Sequence, residues 1–509
     1  MTSKKLILAL LASVVTITVN SAVPGAAVPQ APVVVGIIVE GLDNDYLDLL
    51  RDNFGNGGFR RLAREGLVIR NADYGTNVDA TAAAAMVMTG ASPSVSGIPA
   101  EKVYDRVGLR PHNVFASPGT LGNYTSHGYT PSAMRVSTLS DEARIAGGGL
   151  SVAYAVAPKA AEALVLGGHA ANCAVWLDPK TGNWASTTFY KDMPTSVVTR
   201  NRLAPLAMRL DTMSWAPSVD LKTLPALPDH LKTYPFRYVF PRSANADRYD
   251  MFMSSPMMNA EVTDIALDLV ERLNIGRHQG VTDVLNLKYT LLPYQYGKNP
   301  DSRPELMDAY IRLDRNLEAL FNLLDRTAGP GNSVVYLAGT PPAGIARRDD
   351  EQWQIPHGEF STRKALSLLN MYLIALHGNG NYVTGYHDGA FYLNHDLIKE
   401  RDLPEASLRR EAAEFLLKMT GVKNAYALDD ILAGQAGENA GALRRNTDVA
   451  TAGDIYMEVA PGYELLDDHQ TPVPSDHIPM SRRAVATMAP VFIMAPDVDA
   501  SLSSLKTFC

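Results

Sequence analysis

The chain has 509 residues, 46% of them hydrophobic and 20% charged, which suits one large domain with insertions or two domains. Its net charge is −8 and it has no basic block, which argues against a nucleic-acid partner, because polyanion binding is driven largely by Lys and Arg displacing counterions. Its only two cysteines, Cys173 and Cys509, exclude a cysteine-based metal centre and leave open whether the two pair.

At the N-terminus, Lys4 and Lys5 precede the apolar run LILALLASVVTITV, and small residues follow around Ala22 and Ala27. This is the pattern of an export signal over residues 1–27, and it predicts a periplasmic or secreted protein. An uncleaved anchor is the competing reading. No later apolar run is long enough to span a bilayer, so no transmembrane segment is expected after cleavage.

VVVGIIVEGL then reads as a buried strand, and residues 43–55 as a turn and a helix. GFRRLAREGLVI predicts a helix leading into a strand. ATAAAAMVMTG predicts a helix ended by Gly90. Residues 99–150 are rich in Gly, Pro, Ser and Tyr and predict loops. SVAYAVAP and CAVWLD predict strands on either side of ALVLGGHA, whose glycine pair breaks any long element.

Residues 185–260 carry many Pro and aromatic residues and predict an insertion. TDVLNLKYTLL predicts a strand. The next segment is a long amphipathic helix with Leu306, Tyr310, Leu313, Leu317, Leu320 and Leu324 on one stripe. SVVYLAG predicts a strand, and FSTRKALSLLNMYLIALHG a helix. LRREAAEFLLKMTGV predicts a helix capped by Gly421. DIYMEVAPGY and APVFIMAP predict closing strands. Strands alternating with helices indicate an α/β domain around a mostly parallel sheet.

Seven of these segments, in order, resemble the alkaline phosphatase superfamily: VVGIIVEGLDNDYL, GGFRRLAREG, TGASPSVSGIPAEKVYD, GGHAANCAVWLD, LMDAYIRLDRNLEALFNLLD, FSTRKALSLLNMYLIALHGNGNYV and GDIYMEVAPGY. The likeness is to secreted bacterial alkaline phosphatases with a threonine nucleophile and to type I phosphodiesterase/nucleotide pyrophosphatases. It implies a three-layer fold over residues 33–500, with a mostly parallel central sheet, helices on both faces and a cap insertion near 185–260. It also implies phosphate-ester hydrolysis with two zinc ions, one activating a hydroxyl nucleophile and one stabilising the leaving oxygen.

Aligned on those motifs, the chain departs from the pattern position by position. Glu40 stands for the metal-binding Asp that ends the first strand. Counting back nine residues from Thr89 puts Ala80 at the nucleophile, and a methyl group cannot attack phosphorus. Leu291, or Thr290 in a shifted register, stands for a metal-binding Asp, and Gln295, or Tyr294, for a His. Thr340 and Pro341 replace an Asp-His pair, and Met488 replaces the last His. In the substrate clamp Lys159 is retained, whereas Glu101 and Ala161 replace an Asn and an Arg. These replacements predict no zinc and weak phosphate binding.

Other candidates remain open. Asp79 and Thr81 flank Ala80 and form a fallback base and nucleophile, although residues i and i+2 of a helix face different directions. Asp467, Asp468, His469, Asp476 and His477 form a fallback metal cluster. His169 reads as structural, and His387 and His395, each beside an Asp, as loop hydrogen-bond partners. Trp184, Trp215, Tyr234, Phe236, Tyr238 and Phe240 are either an exposed partner surface or the packing of the insertion. The leading expectation is an exported pseudophosphatase that binds or assembles with an unidentified protein or glycan. Its alternatives are an active phosphomonoesterase or phosphodiesterase with a displaced site, and a carbohydrate- or peptide-binding surface protein.

Overall fold

The structure is a computed structural model that describes residues 31–75, 78–225, 235–242, 248–297, 302–341, 358–460, 463–466 and 488–496. The signal segment, Cys509, Tyr234 and the cluster of residues 467–477 lie outside the described residues.

The central sheet contains nine strands among the described residues. In chain order these are β1 (Val33–Glu40), β2 (Leu67–Asp73), β3 (Gly122–Asn123), β4 (Ala153–Ala157), β5 (Cys173–Leu177), β6 (Trp184–Thr187), β7 (Asp283–Thr290), β8 (Ser333–Thr340) and β9 (Met488–Met494). They lie side by side as β2-β9-β8-β1-β7-β4-β5-β6-β3. β8, β1, β7, β4 and β5 are mutually parallel, while β9 and β6 run antiparallel to their neighbours. β1 is buried along its whole length, as a strand covered on both faces must be.

The period-two alternation of β1 divides the interior. Val33, Val35, Ile37 and Val39 enter one core with α3 (Pro256–Arg272) and α4 (Arg303–Ala328). Val34 and Ile38 enter the other core with α1 (Ala80–Thr89) and α2 (Ala160–Gly167). All six apolar positions of the predicted stripe on α4 are buried. The alanines of α1 are packing surface: Ala82, Ala83, Ala84 and Ala85 lie in the second core with Ala161 and Ala163 of α2. Gly90 ends α1 in the left-handed conformation at φ 64°, as its position predicts. Gly36 lies where Tyr336 Oη of β8 would meet a β-carbon at 2.1 Å, so that point of β1 admits no side chain.

Several boundaries differ from expectation. Within the predicted loops, Leu139–Ala146 is a helix whose Thr138 and Asp141 form a reciprocal cap. The predicted insertion overlaps the core at both ends, because β6 belongs to the central sheet and α3 begins at Pro256. The helix expected to end at Gly421 ends at Leu416; Gly421, with φ 92°, instead turns the chain into the strand Val422–Ala427. That strand belongs to a second, antiparallel sheet of Val383–His387, Ala390–Leu393, Ile455–Val459 and Val422–Ala427, of which only DIYMEV was legible.

A hairpin of Lys102–Asp105 and Arg110–Asn113 is bonded to this second sheet. Tyr104 Oη donates to Thr384 O at 3.0 Å, and Arg106 Nη1 meets the buried Asp454 Oδ2 at 2.9 Å. Asp454 also accepts from Arg409 Nε and the Leu393 amide, and it lies 2.9 Å from His395 Nε2. Arg135 adds a second tie at 2.7 Å to Asp448.

One carboxylate gathers three residues at the start of the insertion region. Glu261 of α3, 3% exposed, accepts two bonds each from Arg200 and Arg209, and one from Trp184 Nε1. Burial alone would raise its pKa; the two guanidiniums outweigh burial and lower it from 4.5 to about 2. A depressed carboxylate stabilises the fold fully above its unfolded pKa and loses that contribution as the pH falls through its folded value. The unfolding free energy from urea titration should therefore fall between about pH 5 and pH 2 more steeply in the wild type than in Glu261→Gln, with a gap at neutral pH on the order of 3 kcal/mol.

Candidate active site

Parallel pairing brings the C-terminal ends of β1, β7 and β8 together. Glu40 is opposite Thr290 on one side and Thr340 on the other. The turn after β1 continues both ladders, with Leu291 N donating to Glu40 O at 2.7 Å and Gly41 N to Thr340 O at 2.9 Å. Gly41 has φ 78°, and a β-carbon there would strike Leu291 O at 2.2 Å, so the crossing requires glycine. Glu40, Thr340 and Lys288 lie at even positions of their strands, on the face covered by α1 and α2. Leu291 packs instead into the opposite core, so of the two registers weighed, Thr290 is the residue paired with Glu40.

The centre of the site is an ammonium that sequence reading missed. Lys288 is fully buried, and its Nζ donates to Glu40 Oε2 at 3.0 Å and to Glu162 Oε1, from α2, at 2.8 Å. Burial works against the charge on Lys288, but the carboxylates of Glu162 and Glu40 outweigh it and raise its pKa. Glu162 Oε2 and Thr340 Oγ1 are buried without a hydrogen-bond partner among the described residues. At the rim, Lys159 is exposed just before α2, and Glu101 accepts from Asn113 Nδ2 at 3.2 Å. Crowding by protein opposes the charge of Lys159 and is outweighed by Glu162, Glu40 and Glu101, so its pKa is raised. Three carboxylates facing two ammoniums make a poor seat for a phosphate dianion.

α1 arrives from the β2 side, where Tyr74 Oη donates to Gly339 O at 2.6 Å near the end of β8. Its first residue is Ala80, half-buried. Asp79 Oδ1 accepts from the amides of Thr81 and Ala82, so this carboxylate caps the helix. Thr81 is buried in the helix packing. Met488 begins β9 opposite Asp73 and is half exposed. Gln295 and Tyr294 follow β7, and Tyr294 stacks edge-on against Trp215 at 5.0 Å.

The insertion's aromatic residues answer the question left open by sequence. Trp184, Trp215, Phe236 and Phe240 are buried and Tyr238 partly so. Trp215 Nε1 donates to Asp308 and Tyr238 Oη to Glu305, both on α4. Of the two readings, these described rings are the packing of the insertion. Among the other candidates, His169 Nδ1 lies 3.1 Å from Asp141, and His387 Nε2 lies 3.2 Å from Lys102 O. Cys173 is buried beside Ser186 Oγ at 3.3 Å, and burial raises its pKa to about 11.

Two zinc ions at this sheet edge would need several carboxylates and imidazoles. The positions described offer Glu40 alone, and it already accepts from an ammonium. These residues do not fit the ions. Among the described residues no group of three or more His, Cys, Asp or Glu side chains is arranged to hold a metal.

The sheet order, the helices on both faces and the strand-end site define an alkaline-phosphatase-like fold. A crystal structure of the alkaline phosphatase PafA superposes with a TM-score of 0.78 over 92% of both chains, at 21% identity. Residues 34–482 match the type I phosphodiesterase / nucleotide pyrophosphatase family, and the chain belongs to it. It is 29% identical over 425 residues to alkaline phosphatase PhoV of Synechococcus elongatus, covering 79% of this chain and 75% of the relative. It is 25% identical over 442 residues to alkaline phosphatase PafA of Elizabethkingia meningoseptica, covering 80% and 77%.

Removing one partner of a buried ion cluster strands the others without water. Lys288→Met should cost about 3–5 kcal/mol in urea unfolding, whereas Glu40→Leu/Glu162→Leu/Lys288→Met should return stability to the wild-type level or above. A single variant as stable as the wild type would show that the cluster is not charged.

Proposed function

We propose that this protein is an exported, catalytically inactive member of its family, retained for binding or assembly. The observation that supports this reading most directly is Ala80 as the first residue of α1, the position aligned with the family's nucleophile. The neighbouring groups do not substitute for it: Asp79 caps the helix, and Thr81 is packed inside. The relatives' names, alkaline phosphatase, define the activity to be tested.

Purified protein should release no product above background from an aryl phosphate or a diaryl phosphodiester, from acid to alkaline pH, with zinc, manganese or magnesium added. Ala80→Thr alone should not restore turnover, because a hydroxyl without paired cations is a weak nucleophile. Saturable turnover in the wild type, abolished by a chelator and by Thr81→Ala, would overturn the reading and favour a displaced active site. For export, intact-mass analysis of protein from the producing cell should find the chain starting just after Ala22 or Ala27. A full-length chain would favour the uncleaved anchor.

A further inference from the structure

We propose that the Lys288 ammonium is a built-in cation occupying a latent divalent-cation site formed by Glu40 and Glu162, which makes this strand-end cluster independent of metal supply. Three observations carry it. The ammonium nitrogen lies 3.0 and 2.8 Å from one oxygen of each carboxylate, so a single positive charge sits between the two at hydrogen-bond distance. Both carboxylates are about 95% buried and come from different elements, β1 and α2, so they form a built site rather than a surface cluster. Glu162 Oε2 and Thr340 Oγ1 are further buried oxygens without a hydrogen-bond partner among the described residues. Two buried carboxylates that share one cation supply the hard oxygen donors that magnesium and manganese select.

In this arrangement the lysine does two things. It neutralises the carboxylates, and it fills the volume that an ion would need. Removing both charge and volume with Lys288→Ala should expose the site, whereas Lys288→Met removes the charge but keeps the volume filled. The inference shares with the proposed function the reading that zinc is no longer held there. Its readout, metal binding by a variant, is separate from turnover.

The test is manganese and zinc binding, by titration calorimetry and by shift of the thermal midpoint, on the full chain. Lys288→Ala should bind one ion about 100-fold more tightly than the wild type or Lys288→Met, since the ion replaces the positive charge that the two buried carboxylates lose with the lysine. Glu40→Gln/Lys288→Ala should lose that gain. A chelator should leave the wild-type midpoint unchanged. Folded Lys288→Ala that binds no better than the wild type, or a wild-type ion lost on Glu40→Gln, would overturn the proposal. If Lys288→Ala folds only with metal present, the proposal is supported. If it does not fold under any condition, lysine-selective 15N NMR of the wild type decides. A protected ammonium resonance that is absent from Lys288→Met supports the built-in cation, and no such resonance overturns it.

Discussion

Lys288 stays charged in a dry interior because two carboxylates meet it there. A lone ammonium so deep in protein would be several kcal/mol worse off than in water and would shed its proton. Glu40 and Glu162 reverse that balance, and both carboxylates depend on the lysine for a counter-charge. The three residues therefore form one unit, drawn from β1, β7 and α2. Hydrogen bonding in register keeps β1 and β7 aligned up to this point, and α2 lies close enough for Glu162 to reach across.

The small residues nearby serve the same close approach. Alanines on α1 and α2 let the two helices lie tightly together over one face of the sheet. Gly36 leaves room for Tyr336, and Gly41 for the carbonyl of Leu291. On the opposite face, large aliphatic side chains of α3 and α4 fill the space, and the insertion adds a knot of aromatic rings beside Tyr294. The architecture of a phosphate-handling fold is kept, while the groups at its strand ends form a closed charge cluster.

Much of the fold could be read from residues alone because its signals are local. β1 is a β-branched run interrupted only by Gly36, α4 carries a regular stripe, and Gly90 punctuates α1. The ordered motifs then placed the chain in its superfamily. The missed elements have short local signals: strands such as VKNAYA alternate poorly, and the helix after Thr138 is eight residues set in a stretch rich in Gly, Pro and Ser. In the site, Glu40 and Ala80 could be located by counting from motifs. Lys288 could not be paired, because its partners lie 248 and 126 positions away. One clue was available, a lysine within a segment that reads as a buried strand, since an unpartnered buried lysine is rare.

β1 lies between strands that are made far later, from residues 283–290 and 333–340. As the polypeptide leaves the ribosome, this sticky ribbon has no mate until most of the chain has emerged. Folding must close very long loops before the middle of the sheet exists, which slows assembly and leaves VVVGIIV exposed to misassociation meanwhile. Such a chain has a built-in delay, and in the cell the interval before its middle strand is covered is the time in which it can be held unfolded.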